Sequence, residues 1–565
     1  MTTPVNLTWV DLDQAPFSVP DSRFVVTATD GGLTVYWIRY EIPLEHCVVV
    51  RDLKVVDGLG QPVGVAKIAD ATLTYSDGSS LSVLGSTLAL TAAEGSHLAY
   101  AAGASEREDP IEIRTEQLGA HGIGRLVLSD QPQVPARGEL GQDELEQAQF
   151  ARAADKVVRD WMAKAPRAAN AARQPMVDMC WWVLGINTLT LNGEAPMRVV
   201  VPSKRGYVGH WQWDAYFIAV GLRHGDLDLA IEQMEVALKF QTEEGLLPDV
   251  VHEEGVLASS DDLPMSDRAN LERTGYDTTI AIPLTKPPLT AWAMTKVLEN
   301  APTQLHTDLV AKWLGPIEKS AQWWFKHSDA DGDGVPEYSH PYSSGLDDSP
   351  VFDYGAPVET PDLTAYLSLQ DRILADLVEA GARGTVGVSA PYELTPAQYR
   401  DRAQTLADRL GERWDADARM FVSVRDGKVL MDRTIVSLLG VVAPGLPADI
   451  VAGIIAELAD PARFGAPVGI PTVAQDDPSF AADRMWRGPI WVNTAYLVAD
   501  GLERNGHGDL ATQVRTGIMA MVEAAGGPSE YYNPISGVPS PSAVRCFGWS
   551  AALYIDLAVT EKPTV

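Results

Sequence analysis

The sequence predicts two domains of different class: an antiparallel, sandwich-like β-rich domain over 1–138 and a mainly α domain over 142–565. Three observations predict them. Period-two, β-branched runs closed by turn signals continue to about Asp130; a polar stretch with Pro132, Pro135 and Gly138 follows; and after Gln142 the apolar residues recur with a helical period.

The elements follow in order. VVTATDGG, TVYWIRYEI, VVVRDLKVVDGLG, TLTYSDGSS and GIGRLVLSD read as strands whose Asp-Gly pairs turn hairpins. Gly58, Gly60 and Gly64 approach a dinucleotide fingerprint, but they depart from GxGxxG and lie among hairpin turns without a βαβ setting, so they read as turn glycines. Beyond the linker, Phe150, Ala154, Val157, Val158 and Trp161 share one helical face. Thr360-Pro361 and Thr395-Pro396 each set a capping hydroxyl before a first-turn proline. Apolar stripes follow at Leu363, Leu367 and Leu374, and at Tyr399, Ala403, Leu406 and Leu410.

Composition excludes several function classes. Forty-four Lys and Arg against 76 Asp and Glu leave a net charge of −32, which repels a phosphate backbone and an anionic membrane surface, so neither nucleic acid nor membrane is expected as a partner. Cys47, Cys180 and Cys546 are too few and too far apart for a disulfide framework or a paired-cysteine zinc site. MTTPVNLTWVDLDQ lacks a basic-then-apolar leader and no run of eighteen apolar residues occurs, so a cytoplasmic location is expected. The residues leave the oligomeric state open.

Familiar catalytic signatures are missing as well. There is no GxSxG, no GxxxxGK[ST] and no HExxH, and the ten histidines are scattered singly, so no metal site is expected in the mechanism and no cofactor is required. Asp329, Asp331 and Asp333 begin like a calcium loop, but the twelfth position is His340. Glu337 could substitute as a ligand; a tight acidic turn is the simpler account, with structural calcium as the alternative.

Four aromatic, glycine-rich segments remain: GHWQWDAYFIAVGLRHGD, YSSGLDDSPVFD, MWRGPIWVNTAYLVADGL, and SEYYNPISG followed by FGWSAALYIDL. Together they resemble glycoside hydrolase family 63, the group that includes processing α-glucosidase and the bacterial mannosylglycerate and glucosylglycerate hydrolases. The resemblance covers most of 175–565. Family 37 trehalases are similar but more distant.

The resemblance implies an (α/α)6 toroid with the active site at one end, preceded here by the β-rich domain, and hydrolysis with inversion by two carboxylates. It places the acid at Asp347 and the base at Glu530. By chemistry alone Asp348 rivals Asp347, but neighbouring side chains of an extended loop point to opposite sides, and the family pattern favours Asp347. Read singly, Asp347 would be a turn aspartate and Glu530 a surface carboxylate. Trp211, Trp213 and Asp214 are expected to grip and stack under a sugar, with Arg487, Gly488, Trp491 and Trp549 lining the same cavity. Arg487 could instead pair with a catalytic carboxylate. Lys286 joins the substrate-binding set as a departure, since relatives often carry Gln before the two prolines, and Asp249 stands where some carry His.

The leading expectation is therefore an exo-acting, inverting α-glucosidase on a disaccharide, small oligosaccharide or small glucoside. A mannosylglycerate- or glucosylglycerate-type hydrolase is the alternative within the fold; its acidic aglycone would need Arg or Lys at the outer subsite. A helical carbohydrate-binding scaffold without chemistry is the alternative of another class.

Overall fold

The computed structural model describes residues 7, 10–13, 15–103, 111–117, 123–130, 143–191, 196–265, 267–268, 279–382 and 393–562. The expected linker, with Pro132, Pro135, Gly138 and Gln142, lies outside them. The chain divides into two compact units, one formed by residues 1–167 and 171–209, the other by 168–170 and 210–565.

The first unit is built on one antiparallel sheet. Its strands are β1 (Phe24–Thr29), β2 (Gly32–Trp37), β3 (Val48–Val56), β4 (Pro62–Val63), β5 (Val65–Ala69), β6 (Thr72–Tyr75), β7 (Ser80–Leu84), β8 (Thr87–Thr91), β9 (His97–Ala102), β10 (Glu112–Gln117) and β11 (Ile123–Ser129). Their order is β1-β2-β3-β9-β11-β8-β7-β6-β5, with β10 on β11 and β4 on β3, which makes the sheet a curled half-barrel. The Asp-Gly signals fall where expected: Asp30-Gly31 turns β1 into β2 and Asp77-Gly78 turns β6 into β7. Gly58 and Gly60 lie in the turn after β3, where the Asp57 carboxylate accepts the Leu59 and Gln61 N–H groups.

The helical period does begin after the linker, with α1 (Asp143–Met162) and α2 (Gln174–Ile186), and both helices fall in the first compact unit. The reason is the apolar face of α1. Ala154 and Val158 bury into the same core as Leu73, Leu81 and Val83 of the sheet. Asp155 accepts the Ala71 N–H at 3.2 Å, and Arg159 pairs with Asp70 at 2.6 Å. A short hairpin, β12 (Thr188–Leu191) and β13 (Met197–Val200), completes this unit.

The second unit opens with β14 (His210–Trp211), which pairs with β15 (Val250–His252) and through it with β16 (Gly255–Leu257). Its helices are α3 (Gln212–Leu222), α4 (Leu227–Lys239), α5 (Thr290–Leu298), α6 (Thr303–His327), α7 (Pro361–Ala382), α8 (Pro396–Glu412), α9 (Ile435–Leu439), α10 (Ala448–Ala459), α11 (Val492–Arg504), α12 (Gly508–Ala524) and α13 (Gly548–Thr560). Each odd-numbered helix packs on the next: α3 on α5, α5 on α7, α7 on α9, α9 on α11, α11 on α13, and α13 back on α3. The ring of six is closed. Even-numbered helices alternate with these in the chain, α4 packing on α3, α6 and α8 on α7, and α12 on α11 and α13.

Burial explains which helix goes where. Every residue of α3 is buried, as are Val492 to Leu502 of α11 and Gly548 to Ala558 of α13, so these helices can only be surrounded. By contrast α8 buries one stripe, Tyr399, Ala403, Leu406, Ala407 and Leu410, the face expected from its sequence. Its start is fixed by a capping box in which Thr395 Oγ1 accepts the Gln398 N–H and Gln398 Oε1 accepts the Thr395 N–H. Close approach within the ring needs small residues. A Cβ on Gly221 of α3 would stand 2.4 Å from the Ala552 carbonyl oxygen of α13. Because each outer helix returns the chain, the inner helices run in one direction and gather their N-terminal ends at one end of the ring. No helix among the described residues is long and apolar enough to cross a membrane.

Candidate active site

The expected site residues lie in the loops that feed these N-terminal ends. Trp211 stands on β14 opposite Val250 and precedes α3, while Trp213 and Asp214 lie in the first turn of that helix. Lys286 precedes α5, Trp491 is the N-cap of α11, and Trp549 lies in the first turn of α13.

Asp347 follows a single helical turn, Pro341–Ser344, that ends on Gly345 with a left-handed φ of 69°. Glycine is required there twice over, because a Cβ would also come within 2.3 Å of the Trp213 ring. The Ser344 hydroxyl accepts the Leu346 N–H at 3.0 Å, which fixes the next residue, Asp347. Asp347 is partly buried, and its Oδ1 is enclosed with no hydrogen-bond partner among the described residues. Burial pushes it up to about 7; Lys286 opposes that shift, while Asp249, Asp348 and Asp267 reinforce it. A carboxyl in this state can give up a proton near neutrality.

The neighbouring Asp348 is committed elsewhere. Its carboxylate accepts the Trp486 N–H at 2.9 Å and Arg484 Nε at 3.1 Å, and Arg487 Nε lies 3.7 Å away. Asp348 thereby ties the 484–487 segment to the Asp347 loop. Arg487 itself forks onto Asp353, with Nη1 donating to Oδ2 at 2.9 Å and Nη2 to Oδ1. Gly488 serves packing, since a Cβ there would strike the Ala481 carbonyl oxygen at 2.5 Å.

Glu530 is buried in a loop that meets the same segment from its other side. Its N–H donates to the Val544 carbonyl at 2.8 Å, and its Oε2 accepts the Val544 N–H at 3.0 Å. Ile490 and Tyr532 exchange backbone hydrogen bonds of 2.7 and 3.0 Å, so the segment that Asp348 holds also carries the Glu530 loop.

Between these loops runs a continuous aromatic wall. Trp486 stacks on Trp491 with ring centroids 3.7 Å apart; Trp491 meets Tyr531 at 4.7 Å and Trp549 at 5.4 Å; Trp549 meets Trp213 at 5.5 Å. Trp549 Nε1 is buried without a hydrogen-bond partner among the described residues. Trp486, Tyr531 and Arg484 were not singled out from the sequence, although each stands inside or beside a recognised segment.

Behind Asp347 lies a second cluster. Lys286 Nζ is 3.0 Å from Asp249 Oδ1 and donates to the Tyr342 carbonyl at 2.7 Å, and all of these residues are buried except Tyr342, which is partly exposed. Burial holds Asp214 well above the usual carboxylate range against the pull of Lys286, with Asp249 and Asp347 adding to the rise. Burial likewise pushes Asp249 up to about 6, against Lys286.

The acidic turn is organised by its own backbone. Asp329 accepts the Gly332 and Gly334 N–H groups, Asp331 that of Asp333, Asp333 that of Val335, and Glu337 that of Ala330. His340 caps the single turn by accepting the Tyr342 N–H at 3.0 Å.

A ring of helices with enclosed carboxylates set against an aromatic wall at one end is the arrangement of a glycoside hydrolase. A family model described as a mannosylglycerate hydrolase MGH1-like glycoside hydrolase domain matches residues 207–550, and the chain belongs to that family, within glycoside hydrolase family 63. It is 28% identical over 411 residues to a mannosylglycerate hydrolase of Thermus thermophilus, covering 62% of this chain and 95% of the relative. It is 27% identical over 407 residues to mannosylglycerate hydrolase MGH1 of Selaginella moellendorffii, covering 62% and 80%. A glucosylglycerate hydrolase of Mycolicibacterium hassiacum is 24% identical over 416 residues, covering 62% and 92%. Among solved structures, a family 63 mannosylglycerate hydrolase of Thermus thermophilus superposes with a TM-score of 0.55 at 23% identity, over 68% of this chain and 99% of that one. A bacterial glucoamylase bound to acarbose superposes with a TM-score of 0.57 at 12% identity, over 99% and 95%. The fold is thus an antiparallel sheet unit followed by an (α/α)6-type helical unit, and the chain is a glycosidase, not a binding scaffold.

Proposed function

We propose that this chain hydrolyses, with inversion, an α-glycoside whose aglycone is small and acidic, of the mannosylglycerate or glucosylglycerate kind. The observation that carries this reading is the likeness to hydrolases of both compounds along most of their length. It reverses the order of the two expectations drawn from the sequence, and a neutral α-glucoside becomes the second reading.

In this reading Asp347 gives its proton to the glycosidic oxygen, and Glu530 takes a proton from the water that attacks the anomeric carbon on the opposite face. Trp213, Trp491 and Trp549 supply the apolar wall for the sugar, and Asp214 a buried acceptor for its hydroxyls. The step uses two carboxylates and a water, with no cofactor, and the acidic turn at Asp329 is structural. Asp347 faces the leaving oxygen, so the guanidinium groups held by its neighbour Asp348 belong on the aglycone side. Among the described residues, Arg484, whose side chain is 62% exposed, is a cation available there to meet a carboxylate.

Assay of released monosaccharide should show kcat/KM at least about tenfold higher on mannosylglycerate or glucosylglycerate than on α-linked glucose disaccharides, the worth of one charge-assisted hydrogen bond. Proton NMR of the first turnovers should show the β-anomer. A preference for neutral disaccharides would sink the acidic aglycone, and initial release of the α-anomer would sink inversion. Arg484→Ala should raise KM for the glycosylglycerate by about tenfold and leave that for the matching glycosylglycerol unchanged; equal effects on both would remove Arg484 from the aglycone site.

A further inference from the structure

Lys286 was expected to touch substrate, yet its ammonium is enclosed and occupied. One contact is the ion pair with Asp249, at 3.0 Å; the other is the 2.7 Å hydrogen bond to the carbonyl of Tyr342, five residues before Asp347. The backbone around it is held just as firmly. The Lys286 N–H and the Thr285 hydroxyl each donate to Gln212 Oε1 at 3.1 Å, the Thr285 N–H donates to Ser343 Oγ at 3.3 Å, and Gln212 Nε2 donates to Tyr216 at 2.9 Å. Asp249 is fixed in turn, its carbonyl accepting the Gln212 N–H and its own N–H donating to the Leu257 carbonyl, both at 2.9 Å. The two departures from the family pattern are therefore each other's partner.

We propose that Lys286 and Asp249 are positioning residues that work as one compensated pair: Lys286 anchors the Asp347 loop and sets a positive charge beside the proton donor, and Asp249 offsets that charge. The inference rests on the reading of Asp347 as the acid.

Asp214 comes from α3, Asp249 from the start of β15, His340 and Tyr342 from the single turn, Asp347 and Asp348 from the loop after it, and Asp267 reaches the Tyr342 hydroxyl at 3.3 Å. Burial works against the Lys286 ammonium, but Asp249, Asp347 and Asp214 outweigh it and keep the group above its ordinary value. Burial pushes His340 down to about 3, so it stays neutral and adds no charge at working pH.

Opposite effects on one pH limb follow. A proton donor is active while protonated, so the alkaline limb of kcat/KM follows Asp347. Asp249→Asn removes a negative neighbour and should move that limb down by about one pH unit; Lys286→Gln removes a positive neighbour and should move it up by about as much. The double variant should return to within about half a unit of wild type, and Lys286→Arg should keep the wild-type limb. The measurement is kcat/KM against pH with mannosylglycerate and glucosylglycerate, using whichever the wild type turns over faster.

Shifts in one common direction, no shift in folded variants, or a raised KM with the limb in place would each overturn the pair as positioning residues. If Lys286→Gln leaves Asp249 uncompensated and fails to fold, Asp249→Asn and the double variant still decide the question. Failure of the underlying reading looks different, since Asp347→Asn would then keep its turnover whatever the limb did.

Discussion

Asp347→Asn and Glu530→Gln are each expected to lower kcat/KM by at least about 10²-fold while the protein stays folded, the scale of a lost general acid or base. Both swaps are close to isosteric. What distinguishes the two is stability. Burial raises the folded-state Asp347 carboxyl to about 7, whereas an unfolded aspartate ionises near pH 4. Between those values the folded state keeps a proton that the unfolded state releases, so Asp347 lowers stability by about 1.4 kcal/mol for each pH unit. Asparagine removes that cost. Asp347→Asn should therefore melt above wild type at pH 7 and equally at pH 4, which calorimetry at the two pH values would read. Wild-type turnover by either variant on the true substrate would remove the assignment, and an activity profile whose alkaline limb lies far from pH 7 would remove Asp347 as the donor.

The sheet unit was legible because its turns are chemical. Asp30-Gly31 and Asp77-Gly78 mark where strands reverse, and a period of two needs no knowledge of the partner strand. Outer helices such as α8 were legible for a similar reason, since one face is apolar and one end carries a capping box. The inner helices defeat periodicity. In α3 every residue is buried, so QWDAYFIAVGL has no polar face to count from, and only the family pattern of its first turn marked it as important. Helical period says that α1 is a helix, not that its apolar face shares a core with Leu73 and Leu81 of a sheet. Within the site, the motifs carry no sign of the contacts that hold them together. Asp348 read as a rival to Asp347, with no sign of its hydrogen bonds to Trp486 and Arg484, and nothing local showed that Lys286 pairs with Asp249. Pairings between residues more than a hundred positions apart leave no local trace in one sequence.

The other end of the ring predicts the second large effect, this time on stability. Asp556 of α13 accepts Arg223 at 2.8 Å and lies 2.9 Å from His224 Nε2 at the end of α3, and it accepts the Tyr496 hydroxyl of α11 at 2.7 Å. One carboxylate thus ties three inner helices. Nearby, Asp500 of α11 accepts Trp292 at 3.0 Å and Lys296 at 3.2 Å from α5, and Arg504 at 2.7 Å. Burial opposes ionisation of Asp556, but His224 and Arg223 more than offset it and hold the carboxyl below its ordinary range; for Asp500, Lys296 and Arg504 do the same. Groups depressed in the folded state contribute stability above the unfolded value near pH 4, and that contribution is lost as pH falls through and below it. Asp556→Ala leaves the Arg223 guanidinium buried with, among the carboxylates of the described residues, only Glu299, at 2.6 Å, to balance it, and should cost about 3–5 kcal/mol, on the order of 5–10 °C in Tm at pH 7. Because the network lies away from Asp347 and Glu530, kcat of the folded variant at 25 °C should stay within about twofold of wild type. The sharper sign is in acid: the gap in Tm between wild type and Asp556→Ala should close as pH drops from 5 toward 2, since protonation removes in the wild type what the substitution has already taken away. A gap that stays constant across that range would mean that Asp556 contributes packing, not charge, to the closure of the ring.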